Sequence, residues 1–190
     1  MIKLLNLLKD SLKEDQYGSY DDEYPEKITP ETIKKINSND RIILGTKDNI
    51  DLSIKVPPSK ITTKPIGLWY GFGTSWIDFV RSQMPQREMY TEHVFKIEID
   101  TSNILIIKDD ESFLDFSDKY KDPEFEKKWP DVRNDAIDWP KVSREYKGIE
   151  FPVYFHKYRR TREHGWYYTW DVASGCIWDL SAVKKVIKLQ

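Results

Sequence analysis

Near the start of the chain, Ile2, Leu4, Leu5, Leu8 and Leu12 are separated by Lys, Asn and Asp at intervals close to 3.6 residues, which predicts an amphipathic helix over residues 2 to 14. A polar, acidic connector follows from Gln16 to Glu26. Thr29-Pro30-Glu31-Thr32 then carries a helix start. A threonine hydroxyl can accept from a free backbone N–H and proline suits the first turn, so a short helix is expected as far as Asn37. Arg41 to Leu44 reads as a short strand ending at Gly45-Thr46, and the polar stretch from Lys47 to Lys64, with Pro57-Pro58, as a long loop. Ile66 to Phe72 predicts a second strand. After it, Thr74 or Ser75 caps a helix that carries Trp76, Ile77, Phe79 and Val80 and ends near Met84. Glu92 to Asp100 alternates apolar and polar residues, and Ile104 to Ile107 follows across Thr101-Ser102-Asn103, so the pair reads as a hairpin. Phe113, Phe116 and Tyr120 predict one helix, and Trp139, Val142 and Tyr146 another. Strands are expected at Ile149 to Phe155, Trp166 to Asp171, Cys176 to Trp178 and Val183 to Leu189.

Helices and strands do not alternate regularly along this pattern, and nothing repeats. The expected class is α+β, a mixed or antiparallel split sheet flanked by helices. At 190 residues the chain is long enough to bury a core as one domain, with residues 1–38 as a helical N-terminal segment and 39–190 as the α+β core. Thirty basic against 32 acidic side chains leave no global positive field for nucleic acid, so such a partner would need a local patch. The single cysteine, Cys176, excludes an internal disulfide framework and fits a reducing, cytoplasmic setting. One Cys and three scattered His offer no structural zinc set, and no metal is expected. No run approaches the roughly 20 apolar residues of a membrane span.

Composition adds one outlier. Aromatic residues are 14% of the chain, with seven Trp and eleven Tyr, and they concentrate beside glycines in two segments, Lys64 to Trp76 and Trp166 to Trp178. Glycine lets backbone approach a ligand and aromatic faces stack on planar rings, so the two segments are expected to line one cleft. A strand whose aromatics are core is the competing reading for the first. In the second, alternation sends Trp166, Tyr168 and Trp170 to one face, while Asp171 and Ser174 suit hydrogen bonding to a sugar or amide, or stabilise a turn. Tyr158-Arg-Arg-Thr-Arg-Glu-His164 is the concentrated basic run. Arg159, Arg160 and Arg162 can grip a phosphate backbone, or decorate a solvated loop. His93, His156 and His164 make no catalytic grouping, Cys176 reads as core, and Glu92, Glu98 and Glu150 are candidate cleft carboxylates.

Taken in order from Arg41 to Val183, these residues resemble the ADP-ribosyltransferase-like family of poly-ADP-ribose polymerases, bacterial toxins and phage-encoded enzymes. Arg41-Ile-Ile-Leu-Gly-Thr46 is similar to that family's first strand and its NAD-contacting Gly-Thr motif, with Leu44 where one subgroup has histidine. Ile66-Gly-Leu-Trp-Tyr-Gly71 is similar to the second strand, where an aromatic residue stacks on nicotinamide. His93 to Asp100 with Ile104 to Ile107 resembles the middle hairpin. Tyr146-Lys-Gly-Ile-Glu150 and Ser174-Gly-Cys-Ile-Trp-Asp-Leu-Ser-Ala-Val183 resemble the two closing strands, with Ser174 or Gly175 where the family's catalytic Glu stands. The resemblance implies an NAD-dependent transferase, with NAD as substrate and a protein or nucleic-acid acceptor, encoded by a virus or phage and working in the cytoplasm. It implies Trp69 and Tyr70 on the nicotinamide ring, with Trp76 and Gly67 beside them. Arg41, Gly45, Thr46 and Lys64 would contact phosphate or ribose, and Asp171 or Glu150, with Ser174, would occupy the catalytic position. A non-catalytic interaction module using the same cleft, or an RNA-modifying or nucleic-acid-binding protein using the arginine run, are the alternatives.

Overall fold

The computed structural model describes residues 26–85, 91–128 and 136–190. The amphipathic helix expected over residues 2 to 14 and most of the acidic connector lie outside them. Thr29 caps the first short helix, α1 (Pro30–Ile33), its Oγ1 accepting from the Thr32 N–H at 3.2 Å. The longer helices are α2 (Ser75–Gln83), α3 (Asp110–Tyr120) and α5 (Trp139–Glu145), with a short α4 (Pro123–Lys128) between the last two. Proline and branched residues keep the loop after β1 (Arg41–Gly45) irregular until β2 (Ile61–Thr62), which pairs only with β6 (Ile137–Asp138) as a small ribbon.

The remaining strands are β3 (Leu68–Phe72), β4 (His93–Ile99), β5 (Ile104–Ile106), β7 (Gly148–Phe151), β8 (Ser174–Ile177) and β9 (Val183–Lys188). Together with β1 they form one mixed sheet in the order β5-β7-β8-β3-β1-β4-β9, in which only β5 and β7 pair in parallel. The α+β class and the mixed sheet expected from sequence hold, but as one continuous sheet of seven strands and not as a split one.

The sheet is strongly curled, and its connections show why. β4 and β5 are joined by a single 3-10 turn, Thr101–Asn103, yet stand at the sixth and first places of the sheet. Five strand spacings of about 4.8 Å would put them roughly 24 Å apart on a flat sheet. The four residues between Ile99 and Ile104 span at most about 17 Å. The sheet bends until the gap closes, and Ile104 of β5 then shares one apolar cluster with Val183 and Val186 of β9, around Ile43, Tyr70, Phe95, Ile97 and Ile177 on the concave face.

Two sequence expectations are corrected. β4 and β5 are not a hairpin, because β4 pairs with β1 and β9 while β5 pairs with β7. β4 buries Phe95 in the concave cluster and Val94 in the α2 cluster, so both its faces are covered, as suits an interior strand; a short link does not state which strands lie at its edges. The segment Trp166 to Asp171 is not a strand either. A 3-10 helix spans Arg162–Thr169, and Trp166, Tyr167 and Trp170 are all buried, with Tyr168 left exposed. Aromatic residues favour strands only where a pleated surface is available to pack on; here a helix-lined pocket takes them instead.

That pocket is the main core. On the convex face of β7 and β8, Phe113, Phe116 and Tyr120 of α3 and Trp139 of α5 meet Phe151, Phe155, Trp166, Tyr167 and Trp170. Phe113 stacks on Tyr158 at 4.3 Å and on Trp166 at 5.3 Å. Within it, Trp166 Nε1 donates to Ser117 Oγ at 3.0 Å, which also lies 3.2 Å from His164 Nδ1, while Trp170 Nε1 is buried without a hydrogen-bond partner among the described residues. A third cluster, Ile28, Ile42, Ile77 and Val94, packs α2 against β1 and β4 on the same convex side.

Candidate functional site

Between the aromatic core and the α2 cluster the convex face of the sheet is left uncovered over Gly71. A cleft of about 310 Å³ opens there, with Ile42, Leu44 and Ser174 on its floor, Trp69 and Trp76 on its walls and Lys64, Asp171 and Val172 at its rim. Antiparallel pairing builds it: Trp69 opposes Cys176 and Gly71 opposes Ser174, so the two aromatic–glycine segments lie side by side. Gly71 lets the start of α2 lie close on β3, since a Cβ on it would stand 2.8 Å from Cβ of Trp76. Gly73, at φ +56°, makes the left-handed turn that leads into α2.

The walls are stiff. Trp69 meets Trp170 edge to face at 4.8 Å, and Trp76 stacks on Phe79 at 5.3 Å. At the rim, Arg159 Nη2 donates to Asp171 Oδ1 at 2.7 Å. Lys64 places its ammonium 5.0 Å from the centre of the Trp69 ring. Burial lowers the Lys64 pKa; the attraction of Asp171 opposes that shift, and the repulsion of Arg159 adds to it. Ser174 is turned away from chemistry, its Oγ donating to the Val172 carbonyl at 3.0 Å.

The concave face holds a second polar group. Tyr70, Gly175 and Glu150 are neighbours in register across β3, β8 and β7. Tyr70 lies over Gly175, where a Cβ would come within 2.5 Å of the ring, and donates its hydroxyl to Glu150 Oε1 at 2.7 Å. Arg41 reaches the same carboxylate from β1, with Nε at 2.5 Å and Nη2 at 3.1 Å. Glu150 is buried, 2% exposed, and burial together with the neighbouring carboxylate pushes the Tyr70 phenol well up. A carboxylate that receives two bonds from a guanidinium and one from a phenol is stable out of water, and the arrangement clamps three strands together.

The structure therefore divides the residues singled out from sequence. Lys64, Trp69, Trp76, Asp171 and Ser174 come together in the cleft. Arg41 and Glu150 lie behind it, and the Tyr70 hydroxyl reaches back to Glu150 although Tyr70 also borders the cleft, because alternation along β3 sends residues 69 and 70 to opposite faces. Gly67 packs against β8, where a Cβ would stand 2.4 Å from the Ile177 carbonyl oxygen, and Gly45 and the exposed Thr46 sit at the far end of β1. Of the basic run, Arg159 enters the rim while Arg160 and Arg162 are exposed. Glu92 and Glu98 are exposed, and Cys176 is buried, with burial pushing its thiol well up.

Sequence reasoning missed the Arg159–Asp171 pair, for which no local signal exists, since a 3-10 helix separates the partners. It also passed over Leu44 and Ile42 as cleft floor, although their period-2 spacing in β1 puts them on one face. Among the described residues, no group of three or more His, Cys, Asp and Glu is placed to hold a metal ion, and no helix is long and apolar enough to cross a membrane. Comparison with protein-family models, curated proteins and solved structures finds no match.

Proposed function

We propose that the chain is an NAD-binding domain of the ADP-ribosyltransferase-like kind and that the cleft over Gly71 is its NAD site. One observation carries the reading. Leu44, Trp69 and Ser174, the last being one of the two positions, with Gly175, that the resemblance offers for the catalytic Glu, belong to three separate family motifs and line a single cleft although they lie on three different strands. A volume of about 310 Å³ between two indole walls suits a planar ring such as nicotinamide.

In this reading the ring stacks on Trp69 and the attached ribose faces Asp171, the carboxylate among the cleft-lining residues. Breaking the glycosidic C–N bond sends nicotinamide away with the bonding pair and leaves positive charge on the ribose. A fixed carboxylate stabilises that charge, and Arg159 holds Asp171 in place. The acceptor, a protein or nucleic-acid group, then bonds to the anomeric carbon and loses its proton to solvent. Glu150 takes no part, because it faces the other side of the sheet.

Incubation of the chain with NAD labelled in its ADP-ribose half and a cell extract tests this. Nicotinamide release with transfer of label is expected. Asp171→Asn should lower both by about a hundredfold or more while the melting temperature stays within a few degrees. Undiminished turnover in that variant removes Asp171 from the mechanism. A second reading has its own support, namely that Ser174 or Gly175 stands where the family has a carboxylate, and the Ser174 hydroxyl is spent on the Val172 carbonyl. A non-catalytic module would bind NAD in calorimetry and release no nicotinamide.

A further inference from the structure

The charges at the rim of the cleft do not balance. Asp171 and Arg159 neutralise each other at 2.7 Å. The Lys64 ammonium has no hydrogen-bond or ion-pair partner among the described residues; it rests against the Trp69 ring, with Asp171 and Arg159 near enough to influence its charge. Arg159 Nε is also buried without a hydrogen-bond partner among the described residues, so the Asp171 bond leaves that guanidinium with unmet donor capacity. The half-buried Lys64 therefore supplies one uncompensated positive charge beside an aromatic wall. Partly dehydrated cations are stabilised by an anion that can accept several N–H bonds at once.

We propose that Lys64 is the anion anchor of this cleft, and that the cleft selects ligands in which a phosphate is carried next to a planar ring. This deepens the NAD reading and rests on it for the site, but it can fail or stand separately. A neutral ring alone would stack on Trp69 and leave the ammonium uncompensated. A nucleotide satisfies both at once, its base or nicotinamide against the indole and a phosphate oxygen on Nζ. Of the four residues that the resemblance assigns to phosphate or ribose, Arg41 is committed to Glu150 on the concave face and Gly45 and Thr46 lie outside the cleft, which leaves Lys64.

The test is calorimetric titration of the full chain with NAD, ADP, adenosine and nicotinamide, for wild type, Lys64→Met and Lys64→Arg. Methionine keeps an apolar stem against Trp69, so folding is checked by an unchanged melting temperature. Lys64→Met should weaken NAD by about ten- to a hundredfold and leave adenosine and nicotinamide unaffected, while Lys64→Arg restores most of the loss. Raising salt should weaken NAD binding to wild type more steeply than to Lys64→Met. If Lys64→Met binds NAD as tightly as wild type, the anchor is wrong and the NAD reading survives. If wild type ignores NAD but binds ADP in a Lys64-dependent way, the anchor stands and the NAD reading falls. A folded wild type that binds neither phosphate compound overturns the anchor.

Discussion

Gly175 shows how one missing side chain can set a polar network. The Tyr70 ring occupies the space where a Cβ would stand, and only over a glycine can its hydroxyl reach Glu150. Gly175→Ala should push the ring aside, loosen the phenol–carboxylate bond and destabilise the fold by about 1–3 kcal/mol, read from denaturant unfolding. A variant with wild-type stability would mean that the ring has an alternative position. The sequence showed the Gly beside an aromatic run but assigned it to a ligand. The residue that needs the space sits on another strand, and nothing local to Ser174-Gly175-Cys176 identifies Tyr70 as its neighbour. Alternation within β3 was legible, and it separates Trp69 from Tyr70; assigning both to one cleft wall overlooked that spacing.

At the scale of elements, α3 was legible because its apolar positions recur at helical spacing and its start is well marked. Asp109 accepts from Ser112 N at 2.9 Å while Ser112 Oγ accepts from Asp109 N at 3.2 Å. What the helix packs against was not legible. Phe113 is fully buried between Tyr158 and Trp166, residues from the segment read as basic loop and strand. Phe113→Ala should therefore cost about 3–5 kcal/mol and also loosen the 3-10 helix, so that Trp166 and Trp170 become accessible to a fluorescence quencher. If stability falls but quenching does not change, the 3-10 helix is held by Phe116 and Phe151, whose rings also meet Trp166. The aromatic segment became a 3-10 helix because fully enclosed rings need walls on all sides, and a sheet supplies only one.

Across the whole molecule, aspartates brace the junctions between elements. Side-chain and backbone bonds from Ser112, Ser102 and Ser181 hold Asp109, Asp100 and Asp179 below the usual carboxylate range. For Asp40, burial works the other way, but the bonds from Lys96 and Asn37 together outweigh it and lower its pKa. Since these folded values lie below the unfolded ones, the stability they contribute is complete above about pH 4 and is lost as pH falls through the folded values. Scanning calorimetry should show a melting temperature that declines steadily from about pH 4 toward pH 2. A melting temperature unchanged over that range would mean that these carboxylates contribute nothing to the fold.

Periodicity and turn chemistry sufficed for most strands, for α2, α3 and α5 and for the α+β class, since each depends on residues close in the chain, and composition alone suggested that the two aromatic–glycine segments share a cleft. The curl of the sheet, the separation of β4 from β5, the burial of Trp166 to Trp170 and the division of the chosen residues between two faces depend on contacts across the chain. A strand's spacing states that its side chains alternate; which side faces a cleft and which a core is decided by what the rest of the molecule packs there. So Glu150 and Asp171, equal candidates as carboxylates in the sequence, are distinct in the structure: one is sealed behind the sheet with Arg41 and Tyr70, the other lies at the rim of the cleft beside Lys64.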